Sequence, residues 1–122
     1  MQRIPSYETL YKRFIDGVEK TKNIDYLDRH SIKKNNSGVD QYRKAAKQIG
    51  ELYPDRIEDF AILLDSDDIK LKICCAICLV ELMNAPEEQQ SLAISEVKQY
   101  YRFYANGAEK MMIEVWLEKM AT

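Results

Sequence analysis

The chain has 122 residues, 46% apolar and 31% charged, with a net charge of −2. That length suits one domain able to bury a sizeable core without disulfides or metal. No apolar run approaches the roughly 18–20 residues that cross a membrane, and the opening "MQRIPSYETLYKRF" has no continuous apolar segment of the signal-peptide kind, so a cytoplasmic protein is expected.

Only four glycines and three prolines punctuate the chain, which favours helices over a sandwich of many tight turns. The charges are unevenly placed. Residues 1–50 hold eleven Lys/Arg against six Asp/Glu, residues 51–68 hold one Arg against seven acids, and residues 69–122 are nearly balanced. This pattern reads either as solvated helix faces or as an acidic surface for a basic partner with a separate basic end.

In chain order, Ser6 caps a helix whose apolar positions Tyr7, Leu10, Tyr11, Phe14, Ile15 and Val18 recur at helical spacing, fading near Thr21 to Asn23. Ile24, Leu27 and Ile32 suggest a short helix that "NNSG" (Asn35 to Gly38) breaks. Ser37 with Asp40 then resembles a capping arrangement for the stripe Val39, Tyr42, Ala45, Ala46, Ile49 and Leu52, which Pro54 ends. Asp55 is placed to cap a shorter helix carrying Ile57, Phe60, Ala61 and Leu64. "DSDD" (Asp65 to Asp68) forms the next turn. A helix from about Asp68 to Asn84 follows, then one with Pro86 at its first position and Glu87 and Glu88 near its positive end. Asn106 with Glu109 opens a last helix through Met112, Val115, Trp116 and Met120. The predicted fold class is all-α, about six helices.

"IKLKICCAICLVEL" (Ile69 to Leu82) contains every cysteine of the chain. Cys75 and Cys78 form a C-x-x-C, but a structural zinc site needs four ligands and the chain has one histidine, His30. A redox pair belongs at a helix N-terminus, where the dipole lowers the thiol pKa. Here the thiols lie mid-helix among Ile, Ala and Leu, and a helix apolar all round is a buried one. The motif reads as core, in a reducing compartment. "DSDD" fails the EF-hand pattern and reads as turn and cap. No phosphate loop or nucleophile motif occurs, and Glu58 and Asp59 are neighbours pointing apart on a helix. No catalytic residue, metal or cofactor is expected. "KQYYRFYANG" (Lys98 to Gly107) is the densest aromatic cluster, read either as core packing or as an exposed Tyr/Arg interface. With only Lys98 and Arg102 beside it, and an acidic chain overall, nucleic-acid binding is disfavoured.

The segment "DRIEDFAILLDSDDIKLKICCAICLVELMNAPEEQQSLAISEVKQ" resembles a HEAT-type repeat, with Leu71-Lys72, Cys75-Ala76 and Leu79 in the hydrophobic-basic, small-small and leucine places of its second helix. Lys72 stands where Arg is more typical, and Cys75 where Ala is. Over roughly residues 30–118 the chain is similar to a compact bacterial HEAT-like domain family without assigned activity. It also resembles some immunity proteins of bacterial toxin and contact-dependent growth-inhibition systems. The resemblance implies antiparallel helix pairs stacked side by side, and a protein that acts by binding and occluding a toxin, possibly a nuclease. On that reading Asp55, Glu58, Asp59, Asp65, Asp67 and Asp68 steer a basic toxin domain, and one or more of Tyr100, Tyr101 and Tyr104 anchor it. A general adaptor is the alternative, and a nucleic-acid binder using the basic first half is a third.

Overall fold

A computed structural model describes residues 3–120. The elements are α1 (Tyr7–Lys20), α2 (Arg29–Leu52), a short α3 (Ile57–Phe60) between 3-10 turns Pro54–Arg56 and Ala61–Asp65, α4 (Ile69–Glu81), α5 (Glu87–Phe103) and α6 (Gly107–Met120). Among the described residues there is no strand, so the fold is all-α, and no helix is long and apolar enough to cross a membrane.

Ser6 caps α1 as expected, its Oγ accepting from the Thr9 N–H at 3.1 Å. The helical spacing of Tyr7, Leu10, Phe14 and Val18 puts all four into the core. At the far end the buried Thr21 hydroxyl donates to the Val18 carbonyl at 2.6 Å.

The segment that follows departs from the sequence reading twice. Residues 24–28 are not helical, because Asp25 turns the chain on itself: its carboxylate accepts from the Leu27 N–H at 2.9 Å and its N–H donates to Ser31 Oγ at 2.7 Å. Then "NNSG" does not break a helix. It lies inside α2, which Asp28 rather than Ser37 caps, by accepting from the His30 N–H at 2.9 Å. Asn36, Ser37 and Asp40 face solvent, where polar residues are tolerated. Gly38 is buried, and a Cβ on it would lie 2.5 Å from the Gly17 carbonyl oxygen. Its missing side chain lets α2 touch α1, and that packing outweighs the roughly 1 kcal/mol that Gly costs a helix interior.

Pro54 ends α2 but also begins a helical turn, so Asp55 already sits inside that turn and does not cap α3. Ile57, Phe60, Leu63 and Leu64 point into the core. Phe60 and Phe14 meet edge to face with centroids 4.9 Å apart.

Asp68 does cap α4, its Oδ1 accepting from the Leu71 N–H at 3.2 Å. Cys74, Cys75, Ala76, Cys78 and Leu79 are buried, which is where a helix apolar on every side must go. The Cys75 thiol donates to the Phe60 carbonyl at 3.7 Å. Small side chains here let the end of α3 and the Ala61–Asp65 turn come close to α4. Pro86 is the cap of α5 rather than its first residue, and Gln89, Ala93 and Val97 form the buried stripe. Gly107, at φ +56°, starts α6, which leans on the rest through the half-buried Ile113, Trp116 and Leu117.

Candidate partner-binding edge

Two ion pairs decide which connections share an end of the molecule. Lys22, just after α1, pairs with Asp68 at the cap of α4, and with Glu19 at 2.7 Å. The α1–α2 connection therefore lies against the α3–α4 turn. Lys72 of α4 pairs with Glu96 of α5 at 3.5 Å. Because a short link makes these helices antiparallel, the start of α4 lies beside the end of α5. All three connections, around residues 21–28, 66–68 and 104–106, thus sit at one edge.

That edge carries exposed apolar side chains and charges of both signs, Arg29, Lys70 and Arg102 among them. Tyr26 is 77% exposed and Leu27 98%, while Phe103 is 68% and Tyr104 58% exposed. Side chains of this size rarely stand in water without a partner when several share a surface. Asp65 and Asp67, at the α3–α4 turn, are exposed and make no ion pair among the described residues.

The acids singled out from sequence fall into two groups. Asp65, Asp67 and Asp68 belong to this edge. Asp55, Glu58 and Asp59 lie at the opposite end of α1, where the Arg56 guanidinium sits 4.1 Å from the centre of the Tyr7 ring and pairs with Asp59 at 2.7 Å and Glu8 at 3.8 Å. Asp59 and Asp65 are six residues apart along α3 and the 3-10 turn after it, so the two groups are about 10 Å apart at their nearest. Asp59 and Asp68 are engaged within the chain. The hydrogen bond from Lys22 is the largest cause holding the Asp68 carboxyl below its ordinary pKa, so it stays ionised as both cap and ion-pair partner.

The tyrosines divide similarly. Tyr100 donates to Glu109 at 2.7 Å and Tyr101 to Glu114 at 3.2 Å, both tying α5 to α6. Burial, then the Glu109 carboxylate, pushes the Tyr100 phenol up to about 12, so it remains a donor. The Tyr104 ring stacks on Tyr100 with centroids 6.0 Å apart and offers its outer face to solvent. Only Tyr104 of the three has a ring free to meet a partner.

Chemistry elsewhere is muted. Burial pushes the thiols of Cys74, Cys75 and Cys78 up, away from the thiolate form that attacks or ligates. Among the described residues no three His, Cys, Asp or Glu side chains gather as a metal-binding group. His30 is exposed at the start of α2.

Sequence reasoning missed Tyr26 and Leu27 as surface anchors. The signal was present in "IDYLD", where aspartates bracketing an apolar pair form a turn that pushes that pair outward. Compared with protein-family models, curated proteins and solved structures, the chain matches none.

Proposed function

We propose that this protein works by binding another protein, and that the partner is a basic domain seated on the edge formed by Tyr26, Leu27, Asp65, Asp67, Phe103 and Tyr104. The observation that carries the reading is the coincidence of exposed large apolar side chains with unpaired carboxylates on one edge. Apolar anchors supply desolvation energy, and the acids speed encounter with a cationic surface and orient it. Within this reading the specific function is that of an immunity protein, which neutralises a toxin by covering its substrate surface and catalyses nothing. The resemblance to HEAT-like immunity proteins supports it, as do the exposed carboxylates of Asp65 and Asp67, which make no ion pair among the described residues.

The test is a pull-down with the tagged chain at low and moderate salt, followed by co-expression with whatever is recovered. A stoichiometric basic protein whose toxicity the chain suppresses supports the immunity function. Replacing Asp65 and Asp67 by Lys then weakens binding at least tenfold and flattens its salt dependence, and Leu27→Ala weakens it at every salt concentration. A harmless protein partner assigns an adaptor instead. Recovery of nucleic acid alone, or full affinity in both variants, rejects the edge.

A further inference from the structure

The net charge of −2 conceals a local separation at the crossing of α1 and α2. The two helices pack across Gly17 and Gly38, and a polar groove runs along one side of that crossing. Gln41 bridges it: its amide donates to the Arg13 carbonyl at 2.9 Å, and its oxygen accepts from the Lys20 ammonium at 2.6 Å. Beside Gln41 is an open depression of about 370 Å³, walled by Arg13, Gln41, Lys44 and Gln48 over the buried Ala45. No carboxylate lines it. A second depression, of about 540 Å³, follows toward the α1–α2 connection, where Lys20 and Lys34 stand with His30. Arg13, Lys20, Lys34 and Lys44 make no ion pair among the described residues. The neighbouring acids are placed otherwise. Glu19 and Asp28 line the second depression, but Glu19 pairs with Lys22 and Asp28 caps α2. Asp16 and Asp40 are exposed and line neither depression.

We infer that this groove holds the phosphate backbone of double-stranded nucleic acid, without reading its sequence. Cations and side-chain amides facing one channel are the donors that phosphate oxygens take. Two pairs of cations in line fit a chain of phosphates better than one small anion. Arg13 and Lys20 are seven residues apart on α1, about 10 Å, and Lys34 and Lys44 are ten apart on α2, about 15 Å. Those spans bracket the roughly 12 Å width of a duplex major groove, so each depression meets one strand. An acidic protein needs apolar or aromatic anchors beside its charges, and none of the large exposed apolar side chains lines either depression. A single strand needs aromatic rings on which to stack its bases, and no ring but the His30 imidazole lines the groove. The chain's net charge does not decide the matter, because a phosphate senses charges within a Debye length, roughly 8 Å at physiological salt. These residues are not those of the loop edge, and the inference stands apart from the function proposed above.

The probe is a fluorescein-labelled DNA duplex of about 20 base pairs, two helical turns, titrated with the full chain and read by anisotropy between about 50 and 200 mM salt. Saturable binding is expected at the lowest salt, with affinity falling as roughly the third to fourth power of salt as about four phosphates are neutralised. A duplex of unrelated sequence binds within twofold. Lys34→Gln with Lys44→Gln, both exposed on α2, leaves the circular dichroism intact, weakens binding at least tenfold and lowers the salt exponent by about two. Lys70→Gln with Lys98→Gln removes the same charge elsewhere and binds within twofold of the native chain, which separates the groove from bulk attraction. Leu27→Ala also binds within twofold, so failure of the groove and failure of the edge are read independently. No saturable binding at the lowest salt, equal loss in the Lys70 and Lys98 variant, or undiminished binding by the Lys34 and Lys44 variant overturns the inference. A single strand bound more tightly than the duplex overturns it too. So does polyglutamate that competes as well as unlabelled duplex, which would assign the groove to an acidic protein.

Discussion

Gly17 and Gly38 face each other at the crossing of α1 and α2, so closely that a Cβ on Gly17 would lie 2.9 Å from the Gly38 carbonyl oxygen and 2.7 Å from the Tyr42 nitrogen. The obstacles are backbone atoms, which cannot rotate aside as a side chain can. Gly38→Ala therefore separates the helices, and the overpacking cost of about 1–3 kcal/mol exceeds the gain in helix propensity of about 1 kcal/mol. We expect a lower urea midpoint with an unchanged slope. The exposed Asn36→Ala, two residues away, instead raises stability by about 0.5 kcal/mol. If Gly38→Ala were stabilising, the close crossing would be wrong.

The Asp68 carboxylate both caps α4 and pairs with Lys22. Its folded pKa is lowered, so its contribution is fully present above the unfolded value of about 4 and is lost as pH falls through the folded value. Lys22, whose pKa is raised by the same bond, gives the mirror case: its contribution is lost only as pH climbs through its folded value, above about 10.4. Asp68→Ala should cost about 1 kcal/mol or more through the lost cap. Asp68→Asn keeps a capping oxygen and loses only the charge. The gap between Asp68→Asn and the native chain, measured by urea unfolding, should be present at neutral pH and close in acid. A gap that persists in acid would show that charge is not the cause.

The three thiols are buried within α4, and burial pushes all of them up. In the native protein they should react with a thiol reagent far more slowly than after unfolding in urea. Cys75→Ser puts a more polar hydroxyl into the apolar core beside the Phe60 carbonyl, and costs about 1–3 kcal/mol. Rapid native labelling of Cys75 or Cys78 would contradict a core role.

Glu81 holds two helices at once, accepting from Trp116 at 3.0 Å through one oxygen and from Arg43 at 3.3 Å through the other. Because α6 buries no residue completely, this link carries an unusual share of its docking. Glu81→Ala should red-shift Trp116 emission and speed amide exchange in α6, with global stability reduced by about 1 kcal/mol. Exchange that rises equally in α1 would mean the effect is global rather than local.

Much of the architecture is written locally. The stripe of α1, the Ser6 and Asp68 caps, the stop at Pro54 and the burial of the cysteine helix all follow from spacing and chemistry within a few residues, whereas on α5 spacing points to Leu92 and Tyr104, both exposed, and the buried stripe is Gln89, Ala93 and Val97. Those are properties a short stretch of chain carries by itself, because periodicity assigns a face and a cap satisfies N–H groups three residues away. The continuity of α2 through Gly38 does not, since a lone glycine after two asparagines reads as a break until Gly17 is seen opposite it. Asp55 misleads for a smaller reason, in that Pro54 starts its turn one residue early.

The proposed partner-binding edge belongs wholly to the tertiary level. Tyr26, Asp67 and Tyr104 lie far apart in the chain, and only the pairs Lys22–Asp68 and Lys72–Glu96 bring their connections to one end. Sequence determined that this protein is helical, where most helices begin and end, and that its cysteines are core. Tertiary structure decided which acids and aromatics share an end of the molecule, because shared surface depends on how helices stack, and stacking is fixed by contacts between residues that sequence spacing does not relate.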